Sequence, residues 1–552
     1  MFKMFKKLPV LILLIVLQSF SLQAFESYNR APTMKDGAIL HAWCWSFNTI
    51  KENMAVIADA GYTSVQTSPI NKVLVGEGGG MQIFGNGKWY YHYQPISYEI
   101  GNYQLGTEAE FIALCEEAEK YGIKIIVDAV INHCTSNYSA ISQEIKDIEG
   151  GAFHTYGEIS SWNDRYQLTQ YKLLGLWDWN TQNPNVQQYL LNYLKKCVEL
   201  GASGFRYDGA KHIELPAGED NESFASDFWP IIINNGAEFQ YLETLQGESS
   251  LRMDYYSQYG SVTASFYGGT IRTAIRGKNF STATISDFRS GGAPTDKLVT
   301  WVESHDNYCN DNTYRTITDQ QIKWGWAIIG ARKDGTPLFF SRPNNGGGIG
   351  NQWGDNVIGV IGSSLFKDPE VRAINRFRNV MTGEDERLSN PNENRQILMI
   401  ERGDKGIVII NSSTSDIELN VPTTMPFGNY SEVVTGNLFQ VANNQLTGIV
   451  KAGQIAVLTD GYLPVSINTT PAVQTSIQID PNPAKNYINL RINGNVENLN
   501  YQIYDMSGKL LKNSDITNEN TIINISRLSS GIYFIKVLKN NQQVEILKFV
   551  KE

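Results

Sequence analysis

Cysteine is scarce in this chain. There are five in 552 residues (Cys44, Cys115, Cys134, Cys197 and Cys309), an odd and widely spread set that excludes a disulfide framework. Buried free thiols are the expected state of most of them. Cys44 and Cys134, near neighbouring strand ends, are the one candidate pair. No CxxC or HExxH occurs, so neither a structural zinc site nor a zincin is supported. Positive charge is also short. Lys and Arg number 46 against 56 Asp and Glu, and the net charge of −10 argues against a nucleic-acid partner, which would want a basic face. Long apolar runs are absent with one exception, Leu8 to Phe20. It follows Lys3, Lys6 and Lys7 and leads through small and polar residues to Ala24. That run is shorter than the roughly 20 residues of a membrane-spanning helix and reads as a secretory signal over residues 1–24. No Cys stands at the proposed cut, so a lipid anchor is not expected there.

What remains is well mixed, 42% hydrophobic and 18% charged, which permits a large core and argues against wholesale disorder. From about residue 36 to 380, apolar strands alternate with amphipathic helices. Ala38 to Trp45 is a first strand and Ile50 to Ala60 its helix. Ser64 to Ile70 is a second strand. Glu108 to Tyr121 is a helix with Phe111, Ile112, Cys115 and Ala118 on one face, capped by Gly122. Ile123 to Ile131 is a third strand, as rich in Ile and Val as a doubly covered parallel strand should be. Val186 to Leu200 is a helix, and a strand ending at Asp208 follows it. Phe239 to Leu245, Leu298 to Val302 and Pro337 to Phe340 are later strands, and a sixth lies somewhere in Ser261 to Ser286. This repetition predicts an α/β fold, a (β/α)₈ barrel. A polar, Gly/Ser-rich stretch from Cys134 to about Tyr171 interrupts it, and long excursions within a compact domain are usually functional.

After about residue 384 the pattern becomes all-β, with short strands at Gln396 to Ile400, Gly406 to Ile410, Ile417 to Val421 and Gln454 to Leu458. Residues 463–476 form a polar linker. A last module, 477–552, carries Pro481-Asn-Pro483, a turn signal at Asp505 to Gly508, and Leu528-Ser-Ser-Gly531-Ile-Tyr533.

Four motifs place acidic residues at or just past the ends of barrel strands, where such barrels build their sites. They are Asp128-Ala-Val-Ile-Asn132-His133, Gly204-Phe-Arg206-Tyr-Asp208-Gly-Ala-Lys211-His212, Phe239-Gln-Tyr-Leu-Glu243 and Trp301-Val-Glu-Ser-His305-Asp306. A carboxylate at such a position is costly unless paired or used. In this order the four resemble the conserved regions of glycoside hydrolase family 13, the α-amylase family. Leu174-Gly-Leu-Trp-Asp178 adds a fifth short match, and the resemblance covers roughly residues 35–460. One departure is Leu242, where the family more often has Gly or Gln before the acid.

The resemblance implies a barrel at 25–383 with a domain B inserted at about 134–171, and an antiparallel β domain C at 384–462. It implies a secreted enzyme that cuts internal α-1,4 bonds of starch-like glucans with retention, which needs two carboxyl groups about 5–5.5 Å apart. Asp208 is then the nucleophile, with Arg206 two residues earlier to keep it ionised. Glu243 is the general acid and then base, and must carry a proton near neutral pH. Asp306 holds sugar hydroxyls and the distorted ring. Tyr93, Gln94, His133 and His305 meet the sugar before the cut and Lys211 the one after, while Asp128 supports the site through Arg206. Glu248 and Glu303 are rival acids; Glu248 reads as a loop residue, and strand alternation should turn Glu303 away from Asp306. Calcium is implied on Asn132, Asp178 and the carbonyl of His212, since hard oxygen ligands suit that ion. Some close relatives also bind chloride with two Arg and one Asn. Arg206 and Arg342 could serve, but Ser304 stands where the Asn would be, which disfavours it. The partner implied is a neutral glucan held by hydrogen bonds and ring stacking, for which the 11% aromatic content suits; a monomer is expected. Residues 477–552 resemble the carboxy-terminal sorting domain of the type IX secretion system, which implies export to the cell surface or medium through that machinery. Three alternatives remain open: another family 13 hydrolase or transglycosylase, a non-catalytic glucan-binding surface protein, and a carbohydrate-binding β-sandwich for the last module.

Overall fold

Eight short parallel strands close into a barrel in the computed structural model of the chain. The structure describes residues 30–249, 251–460, 476–493, 496, 499–505, 509–539 and 542–552. The predicted signal segment 1–24 and nearly all of the predicted linker 463–476 lie outside them. The barrel strands are β1 (Ile39–His41), β2 (Ser64–Gln66), β3 (Lys124–Ala129), β4 (Gly204–Tyr207), β5 (Phe239–Leu242), β6 (Ser261–Thr263), β7 (Leu298–Trp301) and β8 (Thr336–Phe340). Each pairs in parallel with the next, and β8 pairs with β1. The sixth strand, only bracketed by sequence, is Ser261–Thr263.

Period-two alternation sorts the side chains of these strands. Ile39, Ile126, Phe239, Tyr241, Val299 and Trp301, all from odd-numbered strands, pack together with Met34 and Leu338 inside the barrel. The alternate residues Val127, Ala129, Phe205, Tyr207 and Leu242 join the core under the helices. The helices carry the signals expected of their ends. Thr107 and Glu110 form a capping box on Glu108–Lys120, and Asn183 caps Pro184–Glu199, which begins on a proline.

Several elements are shorter than predicted. The first strand stops at His41 because Cys44 turns to a φ of +62° and gives its N–H to Ser68 Oγ, 2.9 Å away. The predicted helix Ile50–Ala60 is two helices, Phe47–Glu52 and Met54–Asp59, broken at Asn53. All five cysteines are free thiols, so Cys44 and Cys134 do not pair.

Two excursions rise from the carboxyl end of the barrel. One follows β2 and holds a small sheet of Asn71–Val73, Pro95–Asn102 and Gly106–Thr107, with the 3₁₀ turn Trp89–Tyr93 between its first two strands. The other follows β3 and is tied at its base, where His133–Cys134 pairs with Trp177–Asp178. Between those ends it carries the short helices Gln143–Lys146 and Arg165–Gln170.

Residues 386–459 form two four-stranded antiparallel sheets. Their strand orders are 386–389, 397–402, 406–411, 455–459 and 417–422, 445–450, 438–442, 428–431. Met399, Ile407, Ile409, Leu419, Phe439 and Leu446 fill the space between them. Residues 466–552 separate as a second compact unit. Its described part is a three-stranded and a four-stranded antiparallel sheet around Ile488, Leu490, Ile503, Ile535, Val537 and Phe549. Strands Leu499–Asp505 and Leu510–Ile516 pair on either side of the predicted turn, most of which lies outside the described residues. Among the described residues no helix is long and apolar enough to cross a membrane.

Candidate active site

The inward face of three adjacent strands supplies the centre of the site. On β3, Ile126 and Asp128 face in; on β4, Arg206 faces in and Asp208 follows on the same side; beyond β5, Glu243 continues the face of Phe239 and Tyr241. Arg206 is the hub. Its Nη1 donates to Asp128 Oδ1 at 2.7 Å and to Asp208 Oδ1 at 2.8 Å, and its Nη2 donates to Glu243 Oε1. Only 3% of Arg206 is exposed, and Asp128 is wholly buried. A buried cation with three carboxylates holds together because each group satisfies another, and removing the Arg would leave uncompensated charge. Gly209 donates its N–H to Glu243 Oε2 at 2.9 Å, so both oxygens of Glu243 accept. Gly209 reaches that position with a φ of +58°, a conformation that favours glycine.

Burial dominates the titration of this cluster. It pushes Asp128 up to about 7 against the pull of Arg206, and it raises Asp208 above the usual carboxylate range against the same pull. Arg206 does pull Asp208 toward its ionised form, as expected, but withdrawal from water pushes the other way and more strongly. Asp306 is pushed up to about 7 by its withdrawal from water and then by Glu243. About a third of the Asp306 side chain stays open, so the crowding by Glu243 deserves more weight there than burial alone.

Asp306 is not on a strand. It lies in the first turn of the helix His305–Asn310, past the end of β7, with Ser304 and Asn307 closing a capping box. Strand alternation therefore has no bearing on Glu303. That residue is occupied elsewhere, in a buried bidentate pair with Arg342 at 2.8 Å for both contacts. Arg342 also donates to Ile317 O, so its guanidinium is already matched and offers no free charge to an anion. The other rival acid, Glu248, takes Lys211 Nζ at 2.7 Å, and Lys211 also donates to Leu245 O.

The aromatic wall is more closely tied to the acids than sequence suggested. Tyr93 donates its hydroxyl to Asp128 Oδ2 at 2.9 Å, and its ring lies flat on the His305 imidazole, centroids 5.3 Å apart. One face of Tyr93 is thus already covered. His305 also meets Trp43, Trp89 and His41. Its Nε2 is 3.5 Å from Asp306 Oδ2, and its Nδ1 is buried without a hydrogen-bond partner. His133 donates from Nε2 to Tyr93 O at 3.1 Å and accepts from Asn132 Nδ2 at Nδ1. Burial lowers both His133 and His305 to about 4, so both rings are neutral at pH 7. Gln94 turns toward the excursion after β3 and accepts from Thr135 at 2.7 Å. His41 and Trp43 were missed as site residues; their signal was their place at the end of the first predicted strand.

The three expected metal-ligand residues lie on neighbouring segments. Asn132 O accepts from Trp179 N, one residue past Asp178, and His133 pairs with Asp178 in the short ladder. A Cβ on Gly209 would stand 3.7 Å from both Asn132 Cβ and His212 Cδ2. Asn132 Oδ1 is buried with no partner. Asp178 is buried and raised well above its ordinary range by desolvation, with one oxygen 2.7 Å from His154 Nδ1. His212 spends its ring on Leu168 O. An orphaned amide oxygen beside a desolvated carboxylate fits a hard cation. Among the described residues no group of three or more His, Cys, Asp and Glu side chains could hold a metal.

The chain is similar to known proteins over most of its length. Residues 46–260 match the family described as α-amylase, catalytic domain, and residues 388–464 match α-amylase, C-terminal all-β domain. Residues 478–552 match the secretion system C-terminal sorting domain. An α-amylase of Butyrivibrio fibrisolvens is 44% identical over 477 residues, covering 79% of this chain and 49% of that protein. An α-amylase of Clostridium acetobutylicum is 38% identical over 449 residues, covering 79% of this chain and 55% of that protein. The chain thus spans about half the length of these curated relatives. Among solved structures, α-amylase I of Eisenia fetida aligns with a TM-score of 0.64 at 20% identity, covering 79% of this chain and 99% of that one. The acarbose complex of the Geobacillus thermoleovorans α-amylase aligns with a TM-score of 0.59 at 18% identity, covering 77% and 98%. At that identity the structures speak for the fold alone.

Proposed function

We propose that this chain, which belongs to the α-amylase family, hydrolyses internal α-1,4 bonds of starch-like glucans with retention of configuration. The observation that carries the proposal is the Arg206 fork. One planar guanidinium binds both Asp208 and Glu243, which sets the two carboxyls close together, as a retaining pair requires. Asp208 attacks the anomeric carbon while Glu243 delivers a proton to the departing oxygen. Water then attacks the anomeric carbon as Glu243 takes its proton, and the bond to Asp208 breaks. Burial, and then crowding by neighbouring carboxylates, raises Asp208 and Asp306, so the cluster holds a proton near neutral pH, and the mechanism needs that proton on Glu243. Glu243 must release Arg206 or Gly209 as the glycosidic oxygen arrives. The part-open Asp306 is available to take sugar hydroxyls. Tyr93, Gln94, His133 and Lys211 are already engaged with protein partners, so their part is to shape the sugar site, each exchanging a partner if it binds the glucan directly.

Calcium would be held by Asn132, Asp178 and the His212 carbonyl. When bound it supplies a fixed positive charge that ties the excursion after β3 to the strand ends, and no chemical step passes through it. Chloride has no role in this reading, because Glu303 already neutralises Arg342. The match of residues 478–552 to a secretion sorting domain supports type IX export to the surface or medium. The test is a reducing-sugar assay on soluble starch, with product sizing and early anomeric analysis by NMR. Internal cleavage with α-configured products is expected. β-Configured products would overturn the Asp208–Glu243 assignment, and products longer than a short donor would show transglycosylation instead.

A further inference from the structure

A second concave feature abuts the site from outside. A groove of about 810 Å³ starts at Leu245 and Gln246, directly after Glu243, and runs along the outer face of the helix Ser265–Gly277. Asn307, next to Asp306 in sequence, lines its other side. Leu245 O is also the acceptor of Lys211, so the groove opens on the side of the cleft where Glu243 and Lys211 stand. The mechanism above makes no use of it.

Its lining is built rather than incidental. The Gln246 side chain joins three segments: its Nε2 donates to Arg289 O at 2.8 Å, its Oε1 accepts from Phe266 N at 2.9 Å, and its own N–H donates to Ser265 Oγ at 2.8 Å. This clamp sets the Arg289 guanidinium over the Phe266 ring, 4.8 Å from its centroid. Phe266 is 38% exposed, a large ring left open to water. Arg289 has neither an ion-pair nor a hydrogen-bond partner for its guanidinium among the described residues, and Asn279 has none for its amide. Arg289 stands at a φ of +48°, a conformation a non-glycine residue seldom adopts and one that surrounding contacts must hold. The groove's other cation, Arg272, is already spent on Val302 O and Asn307 Oδ1, both at 3.0 Å.

An exposed apolar ring with a planar fork of unused N–H donors lying over one side of it matches one ligand chemistry closely. The apolar face of a pyranose packs on an aromatic ring, and two neighbouring hydroxyls accept from a guanidinium. No carboxylate lines the groove, and only one of its two guanidinium groups is free. A polyanion would ask for more positive charge, whereas a neutral polyol needs the hydroxyls and amides that are there.

We propose that this groove is an accessory glucan-binding site on the leaving-group side of the cleft, with Phe266 and Arg289 as its platform. It would hold the portion of an α-glucan chain that lies beyond the sugar at Lys211, and so favour long substrates over short ones. The inference rests on the reading of the cleft as a glucan hydrolase, but its test separates the two.

The decisive variant is Phe266→Ala/Arg289→Ala in the full chain. On soluble starch its kcat/KM should fall about fivefold, mainly through KM. On a short chromogenic maltotrioside it should stay within twofold of the parent. Retardation in a native gel containing soluble starch, measured in an Asp208→Asn background, should weaken at least threefold on adding the two changes. Equal kinetics on both substrates together with unchanged retardation would overturn the proposal, as would an equal loss on both, which would mark a structural role. If the parent hydrolyses neither substrate, the hydrolase reading fails, while the gel still decides the groove. Gln246→Ala, which loosens the clamp and leaves the platform residues in place, should give the same pattern more weakly.

Discussion

At the scale of single residues, the site is a contest between burial and pairing. Asp208 and Glu243 are each held by Arg206, so Asp208→Asn or Glu243→Gln keeps size and most hydrogen bonds while removing nucleophile or proton donor. Hydrolysis of starch should fall by about 10²–10⁴ or more, with circular dichroism unchanged. A folded Asp208→Asn protein with more than a tenth of the parent rate would sink the nucleophile assignment. Asp306 yields a prediction of the opposite sense. Its pKa is raised from an ordinary carboxylate value to about 7, so ionising it costs the folded state and not the unfolded one. That penalty is absent below about pH 4, grows as pH rises, and is complete above about pH 7. Asp306→Asn cannot titrate. Its melting temperature should therefore gain on the parent between pH 4 and pH 8 as activity is lost. A difference that shrinks with rising pH would show that Asp306 is stabilised as a carboxylate, contrary to the burial and crowding described. What sequence could not show at this scale was partnership. The acids were legible from their places at strand ends, but not that Glu303 belongs to Arg342, Glu248 to Lys211, or Tyr93 to Asp128. Those pairs join residues far apart in the chain, which no local spacing encodes.

At the scale of elements, the barrel was readable because its strands are apolar on both faces and its helices carry Gly stops and capping residues. The misreadings lie where tertiary contacts override a local pattern. Trp43 and Cys44 continue an apolar run, yet the chain turns away at Cys44 because its N–H is taken by Ser68. The strand was predicted at Leu298 to Val302, and its alternation was carried on to Asp306 in judging Glu303, but Ser304 begins a helix, and that helix turns Asp306 toward the acids. The cap is thus an element of the site. Ser304 Oγ accepts from Asn307 N, and the Asn307 side chain in turn accepts from Arg272 and the Trp301 indole. Ser304→Ala should cost about 1 kcal/mol of stability, the usual worth of an N-cap. Because the capped turn carries His305 and Asp306, kcat should also drop several-fold, while Ser304→Thr, which keeps the oxygen, should restore most of both. Unfolding in urea and initial rates on soluble starch measure the two effects. Loss of stability with an unchanged kcat would show that the helix holds its position without its cap.

At the scale of the whole molecule, two additions to the barrel are proposed to act on quite different things. The excursion after β3 returns to the strand ends through Asn132, Asp178 and His212, and a cation there would bind only the folded chain. Calcium at a hundredfold excess over its Kd should add about 2.7 kcal/mol by mass action. Chelation should accordingly lower melting temperature and activity together, and calcium should return both; a melting temperature indifferent to calcium would remove the site. The second addition, residues 466–552, has its own sheets and its own apolar core, separate from that of the barrel and the domain that follows it. It supplies none of the residues of the candidate site, so its loss should leave catalysis intact. The experiment is a chain ending at Tyr462, expressed in a host with type IX export. Purified, it should match the parent in kcat/KM on soluble starch and in the melting of the barrel, since a module of this size with a closed core can fold alone. In the host, the truncated enzyme should accumulate in the periplasm and be missing from the surface and medium, where the parent is found. If truncation instead leaves export unchanged and weakens binding to starch granules, the module is a carbohydrate-binding β-sandwich. Its exposed Tyr487, Leu510 and Ile522 would then be the first side chains to replace in finding the sugar face.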